Sequence, residues 1–173
     1  QEEIEKFTSN HPRVIDLSLD RVERLLHKLN NPHLKLPPVI HVAGTNGKGS
    51  TIAFLSEALI CAGKKIHVYT SPHLIEVTER FIIANDIISY SKLFVMLDYC
   101  LEINNGDPIT QFELLTCIAF LLMSKSKADV AIIETGLGGR LDATNVVVKP
   151  LLNIITSISI DHTDFLGNTL ELI

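Results

Sequence analysis

Apolar and polar positions follow two spacings along this chain, and the switches between them predict its elements. From Leu19 to Leu29 the residues Val22, Leu25, Leu26 and Leu29 form one stripe at helical spacing, an amphipathic helix ended by Asn30-Asn31-Pro32. Pro37-Pro38 leads into Val39–Val42, a short run apolar on both faces that stops at Ala43-Gly44. A helical pattern then covers residues 50–62 and ends at Gly63. Lys65–Thr70 predicts a second strand, followed by Ser71-Pro72-His73-Leu74 and a looser extended segment, Val77–Ile83. Ser91 is expected to cap a helix reaching Ile103, before the turn cluster Asn104-Asn105-Gly106-Asp107-Pro108. Phe112–Met123 is apolar on most faces, so that helix is expected to be buried. Ala128–Glu134 predicts a third strand, residues 135–145 a long polar loop, and Leu151–Ile160 a fourth strand ending at Asp161-His162.

Short strands apolar on both faces, alternating with helices, require a parallel sheet covered on both sides. The expected fold class is therefore α/β, doubly wound, a mostly parallel sheet with helices on both faces in one domain over residues 1–173. No internal repeat interrupts the pattern.

Composition narrows the functions. The net charge of −5 offers no basic surface for nucleic acid, so an anionic ligand has to be held by local geometry. No apolar run has membrane-spanning length, and the acidic start QEEIEKF is unlike a signal peptide. Cys61, Cys100 and Cys117 lack metal or redox spacing and read as reduced thiols of a cytoplasmic protein. The chain opens on Gln1 and stops in what reads as the first turn of a helix, Asn168–Ile173, so a fragment or truncated product is expected.

The chemistry starts at VIHVAGTNGKGST, residues 39–51. A strand, a glycine-rich turn, a lysine and a helix start together build a phosphate cradle of P-loop type. Glycines let backbone N–H groups curl round phosphate oxygens, the helix N-terminus adds its positive dipole end, and Lys48 adds a cation. The spacing departs from the usual pattern, because Val42 stands six positions before the lysine and Gly49 directly after it. The hydroxyl ordinarily offered to Mg²⁺ is displaced, so metal ligands are expected from elsewhere. Ligands in doubly wound sheets bind beyond the carboxyl ends of the strands. Those ends carry Ser71, Glu134 and Asp161-His162, a hydroxyl, a carboxylate and an imidazole. One carboxylate and a hydroxyl beside phosphates suffice for Mg²⁺, and a histidine suggests a second site tolerant of Mn²⁺. Asp142 could read a polar heterocycle and Phe112 could stack on one; by composition both are equally a turn Asp and a core Phe.

HVAGTNGKGS, YTSPHL with ERFII after it, TQFE, ETGLGGRLDATN and SIDHTDFLG resemble, in family order, the folylpolyglutamate synthase/dihydrofolate synthase family, ligases related to the cell-wall Mur ligases. The resemblance spans essentially the whole chain. It implies that Thr45, Asn46, Gly47, Lys48, Gly49 and Ser50 hold ATP phosphates, and that Ser71, Glu134 and His162 are magnesium ligands, with two metal sites in the full-length enzyme. It implies that Thr110, Gln111, Phe112 and Glu113, with Leu141, Asp142 and Ala143, line a pterin site. Asp16–Leu19 resembles a loop that also lines it. The implied reaction activates a carboxylate of dihydropteroate or a folate with ATP, and L-glutamate then displaces phosphate, with Lys48, Glu134 and His162 closest to the chemistry. The implied protein is a cytoplasmic monomer. Family members also carry a carbamylated lysine after the DHxxxLG segment and a C-terminal domain, neither of which this chain contains, so little ligase activity is expected of the chain alone. A Mur-type cell-wall ligase and a non-catalytic nucleotide-binding remnant are the alternatives.

Overall fold

A computed structural model describes residues 18–173. The elements run α1 (Asp20–Lys28), β1 (Val39–Ala43), α2 (Lys48–Cys61), β2 (Ile66–Tyr69), β3 (Phe81–Ile83), β4 (Asp86–Ile87), α3 (Tyr90–Asn104), α4 (Gln111–Ser124), β5 (Val130–Glu134), β6 (Leu152–Ile155) and a single turn, α5 (Thr163–Leu166). They form one sheet in the order β4-β3-β2-β5-β1-β6. The pairs β2–β5, β5–β1 and β1–β6 are parallel; β1, β2 and β5 are buried on both faces, as their apolar runs predict, whereas β6 is the sheet's largely exposed edge. The doubly wound α/β expectation therefore holds, with helices on both faces.

The faces are unequal. Val39, Ala131 and Ile133 point to one side and pack with α1, α3 and α4 in the larger core. Ile40, Val42, Ile66, Val68, Val130 and Ile132 point to the other, where Ile52, Leu55 and Leu59 of α2 cover them. Helix α4 is buried almost throughout because it lies between the sheet and its two neighbours.

Several boundaries differ from the periodicity. Helix α2 begins at Lys48 rather than residue 50, since Gly47 caps it at φ +86°, a left-handed conformation that glycine adopts without strain. Helix α3 is capped by Ser89, not Ser91: the Ser89 hydroxyl accepts from the Lys92 N–H. The segment Val77–Ile83 splits into a 3-10 turn, Val77–Arg80, and β3, which joins β4 in an antiparallel hairpin. Ala84 and Asn85, both at positive φ, make that hairpin turn without a glycine to announce it. Strand β6 ends at Ile155 instead of Ile160, because the chain then crosses to the turn after β1, where Ser157 pairs with Asn46. Asn168–Ile173 forms turns rather than a helix. Asp16 and Leu17 of the expected pterin-lining loop lie outside the described residues.

A candidate nucleotide and metal site at the carboxyl edge of the sheet

Parallel pairing brings the carboxyl ends of β2, β5, β1 and β6 to one rim, where Ser71, Glu134, Lys48 and His162 follow them in the chain. The turn after β1 is stapled down by the segment after β6. The Thr45 N–H donates to the Ser157 carbonyl at 2.9 Å and the Ser157 hydroxyl donates to the Asn46 carbonyl at 3.2 Å. The Thr45 hydroxyl donates to the Ser159 carbonyl and accepts from the Ser159 N–H. Thr156 donates to the Ala43 carbonyl through both its N–H and its hydroxyl. Sequence reasoning missed this clamp, although the hydroxyls of Thr156, Ser157 and Ser159, set in an otherwise apolar run, were a signal for it.

The clamp divides the cradle. The N–H groups of Thr45 and Asn46 turn inward to Ser157. The donors facing outward are those of the first turn of α2, at Lys48, Gly49 and Ser50, which no helical carbonyl can reach. The Lys48 ammonium folds back over the loop and donates to the Gly44 carbonyl at 2.7 Å and the Thr45 carbonyl at 3.3 Å. A cavity of about 190 Å³ opens above it, walled by Gly44, Thr45, Lys48, Gly136–Arg140, Asp161 and His162. That is smaller than the several hundred Å³ of a whole-ligand pocket, so it fits the phosphate end of a nucleotide.

Glu134 closes β5 and is buried, and its Oε2 accepts from the Ser71 N–H at 3.0 Å. Burial raises its carboxyl pKa above the ordinary value, and the Ser71 N–H, Lys48 and Arg80 oppose the rise. Its Oε1 accepts no hydrogen bond among the described residues. A half-desolvated carboxylate with a free oxygen, beside a serine and within the field of Lys48, fits a hard divalent cation. Of the expected metal ligands, the structure joins Ser71 to Glu134 and sets His162 in the Lys48 cavity. His162 is exposed, with φ +49°, and its N–H donates to its neighbour Asp161. Among the described residues no three His, Cys, Asp or Glu side chains form a ready metal cluster.

The expected pterin residues lie beside this site, and several are occupied within the fold. Thr110 and Glu113 form a capping box at the start of α4, and the Glu113 carboxylate also takes the Arg21 guanidinium at 2.9 Å. Both oxygens of Asp142 are engaged: Oδ2 accepts from the Gly136 and Leu137 N–H groups, and Oδ1 from the N–H and hydroxyl of Thr144. Phe112 and Gln111 are half-buried, and the Phe112 ring lies against Gly136 so closely that a Cβ there would come within 2.5 Å of it. Leu141 is partly exposed and Ala143 is buried.

The comparisons with known proteins agree with one another. A family profile described as Mur ligase middle domain matches residues 42–173. The dihydrofolate synthase/folylpolyglutamate synthase of Haemophilus influenzae is 45% identical over 167 residues, which is 95% of this chain and 37% of that protein. The dihydrofolate synthetase of Saccharomyces cerevisiae is 44% identical over 91% of this chain and 38% of its own length. Among solved structures, E. coli FolC in complex with DHPP and ADP superposes with a TM-score of 0.90 at 39% identity, covering 99% of this chain and 41% of that one. A bifunctional folylpolyglutamate synthase/dihydrofolate synthase with Mn, AMPPNP and L-glutamate bound gives 0.85 at 38% identity, over 96% and 40%. The chain thus spans a little over a third of the length of these two curated relatives.

Proposed function

The chain belongs to the Mur ligase family through its middle domain, and from that premise we propose that it is the ATP-binding domain of a folate ligase. The enzyme adds L-glutamate to dihydropteroate, a folate or both, as the names of its relatives suggest. The observation that carries this reading is that the Lys48 cavity and the buried Glu134, which accepts from the Ser71 N–H, stand at neighbouring strand ends on one sheet rim.

The chemistry follows from the charges. A carboxylate oxygen of the folate substrate attacks the γ-phosphorus of ATP, the bond to the bridging oxygen breaks, and ADP leaves. The glutamate amine then attacks the acyl carbon, inorganic phosphate departs and the nitrogen loses a proton. The first step brings anions together, so countercharge and positioning are the main requirements. Lys48 swings from its loop carbonyls to phosphate oxygens. The amides of Lys48, Gly49 and Ser50 receive the same group, and the inward amides of Thr45 and Asn46 hold the loop's shape. Ser71, Glu134 and His162 would hold Mg²⁺, which supplies Lewis acidity at the phosphates. Phe112 supplies an aromatic face for the pterin. Gln111, Leu141 and Ala143 line that pocket, while Thr110, Glu113 and Asp142 shape it from within.

No helix among the described residues is long and apolar enough to cross a membrane, and we place the protein in the cytoplasm as a monomer that binds small molecules rather than nucleic acid. Calorimetric titration with AMPPNP and Mg²⁺ tests the assignment. Binding is expected in the wild type, with affinity about tenfold lower or worse in Lys48→Ala, a loss of roughly 1.4 kcal/mol or more. Absence of binding in the wild type, or equal affinity in the variant, contradicts it.

A further inference from the structure

A chain of buried polar groups runs beneath the site, and neither the phosphate loop nor the metal ligands account for it. His41 lies in the middle of β1, almost fully buried between its register partners Ile133 and Asn153. Its Nε2 is 2.8 Å from the Thr144 hydroxyl, which is wholly buried. That hydroxyl is 2.6 Å from Asp142 Oδ1. Thr144 has one proton, and a carboxylate can only accept, so the hydroxyl donates to Asp142. His41 must then donate to Thr144 from Nε2, which makes it the Nε2–H tautomer. At the far end Asp142 Oδ2 accepts from the Gly136 and Leu137 N–H groups, both at 2.8 Å. Burial lowers the His41 pKa against the pull of Asp142, consistent with a neutral ring.

The backbone held this way is the wall of the Lys48 cavity, Gly136–Arg140. Asp142 accepts four hydrogen bonds, two from the loop amides and two from Thr144, so its carboxylate ties the loop to the buried chain. On its other side Gly136 abuts the Phe112 ring. The loop is therefore a shared partition between the phosphate cavity and the Phe112 side, and its position is set from below.

We propose that His41 is a positioning residue that, through Thr144 and Asp142, fixes the Gly136–Arg140 segment over the nucleotide phosphates. The proposal rests on the reading of that cavity as the nucleotide site.

Three variants test it. His41→Gln can still donate an N–H to Thr144, His41→Leu cannot, and Thr144→Val cuts the chain at its middle with little change of volume. Amide hydrogen exchange by NMR is the first readout. In His41→Leu and Thr144→Val the Gly136 and Leu137 amides are expected to exchange about tenfold faster or more, as local opening becomes cheaper. The Thr135 amide, which donates to Val42 across the sheet, stays protected and serves as the internal control. His41→Gln keeps wild-type protection. The second readout is AMPPNP–Mg²⁺ affinity, expected to fall several-fold in the two cutting variants and to return in His41→Gln. The third is the imidazole tautomer, expected as Nε2–H by nitrogen NMR. Unchanged exchange at Gly136 and Leu137, an Nδ1–H ring, or loosened amides with undiminished affinity each overturn the proposal. If His41→Leu does not fold, Thr144→Val decides. If the wild type binds no nucleotide, the functional assignment falls, while exchange and tautomer still judge the relay.

Discussion

At the scale of single residues, the informative ones are polar groups that the fold buries at a cost. Glu134 is the clearest case. Its carboxylate is taken out of water, its pKa rises for that reason, and one N–H from Ser71 offsets only part of the penalty. In metal-free buffer Glu134→Gln is therefore expected to melt no lower than the wild type at pH 7.5, because an amide oxygen can still accept from Ser71 without a charge. The raised folded pKa means that the native state takes up its proton first as pH falls, so the wild type gains on the variant toward pH 5. The same substitution should abolish nucleotide-dependent Mn²⁺ binding, measured by electron paramagnetic resonance. A clear loss of stability at pH 7.5 would show that the charge is already compensated within the chain. The histidines act with the opposite sign. Burial lowers the pKa of His33, His41 and His67 below the ordinary 6.5, so between 6.5 and the folded values the unfolded chain binds more protons. Their contribution is complete above pH 6.5 and is lost as pH falls through the lowered values. In a Glu134→Gln background the melting temperature should therefore fall from pH 7.5 to 5.5. Substituting His67, which holds the Ser126 carbonyl and the Ala84 N–H, should flatten that slope.

At the scale of elements, the junction between β1 and β6 positions the site. Gly44 sits at φ +133°, and a Cβ there would lie 2.1 Å from the Thr156 hydroxyl oxygen, inside the clamp that shapes the turn between β1 and α2. Gly44→Ala is expected to destabilise the chain by about 1–3 kcal/mol from backbone strain alone, with the collision added. Gly49, in the first turn of α2, has nothing within 4 Å of the place a methyl group would take, and Gly49→Ala should be neutral or stabilising by up to about 1 kcal/mol. Paired thermal melts check both, and equal effects would mean that the clamp does not constrain the loop. This junction was only half legible in the sequence. The strand–turn–lysine pattern announced β1 and its loop, since two-faced apolar runs and glycines are local signals. The clamp was announced only weakly, by the hydroxyls of Thr156, Ser157 and Ser159, because residues 156–159 look like more strand until Asn46 and Ser157 are seen to pair. The β3–β4 hairpin was missed for a related reason: its turn uses Ala84 and Asn85 at positive φ, and β4 has only two residues.

Across the whole molecule, the sheet order brings residues distant in sequence to one candidate site. Lys48, Glu134 and His162 are far apart in the chain, yet β1 lies between β5 and β6, so the three strand ends are neighbours. Reading strand ends alone picks out Ser71, Glu134 and His162 as candidates, because in a parallel sheet those ends share an edge. It does not separate ligand-facing groups from internal ones. Glu113 is spent on Arg21 and the α4 cap, and Asp142 on its own loop, and these partners become visible only in three dimensions. The direct test of the assembled site is paramagnetic broadening of the backbone amide spectrum by Mn²⁺ with AMPPNP. With nucleotide present, broadening is expected to centre on Lys48–Ser50, Ser71, Thr135 and His162 together, and to vanish in Glu134→Gln. Broadening confined to other surfaces, or the same pattern without nucleotide, would contradict a shared nucleotide–metal site at this edge of the sheet.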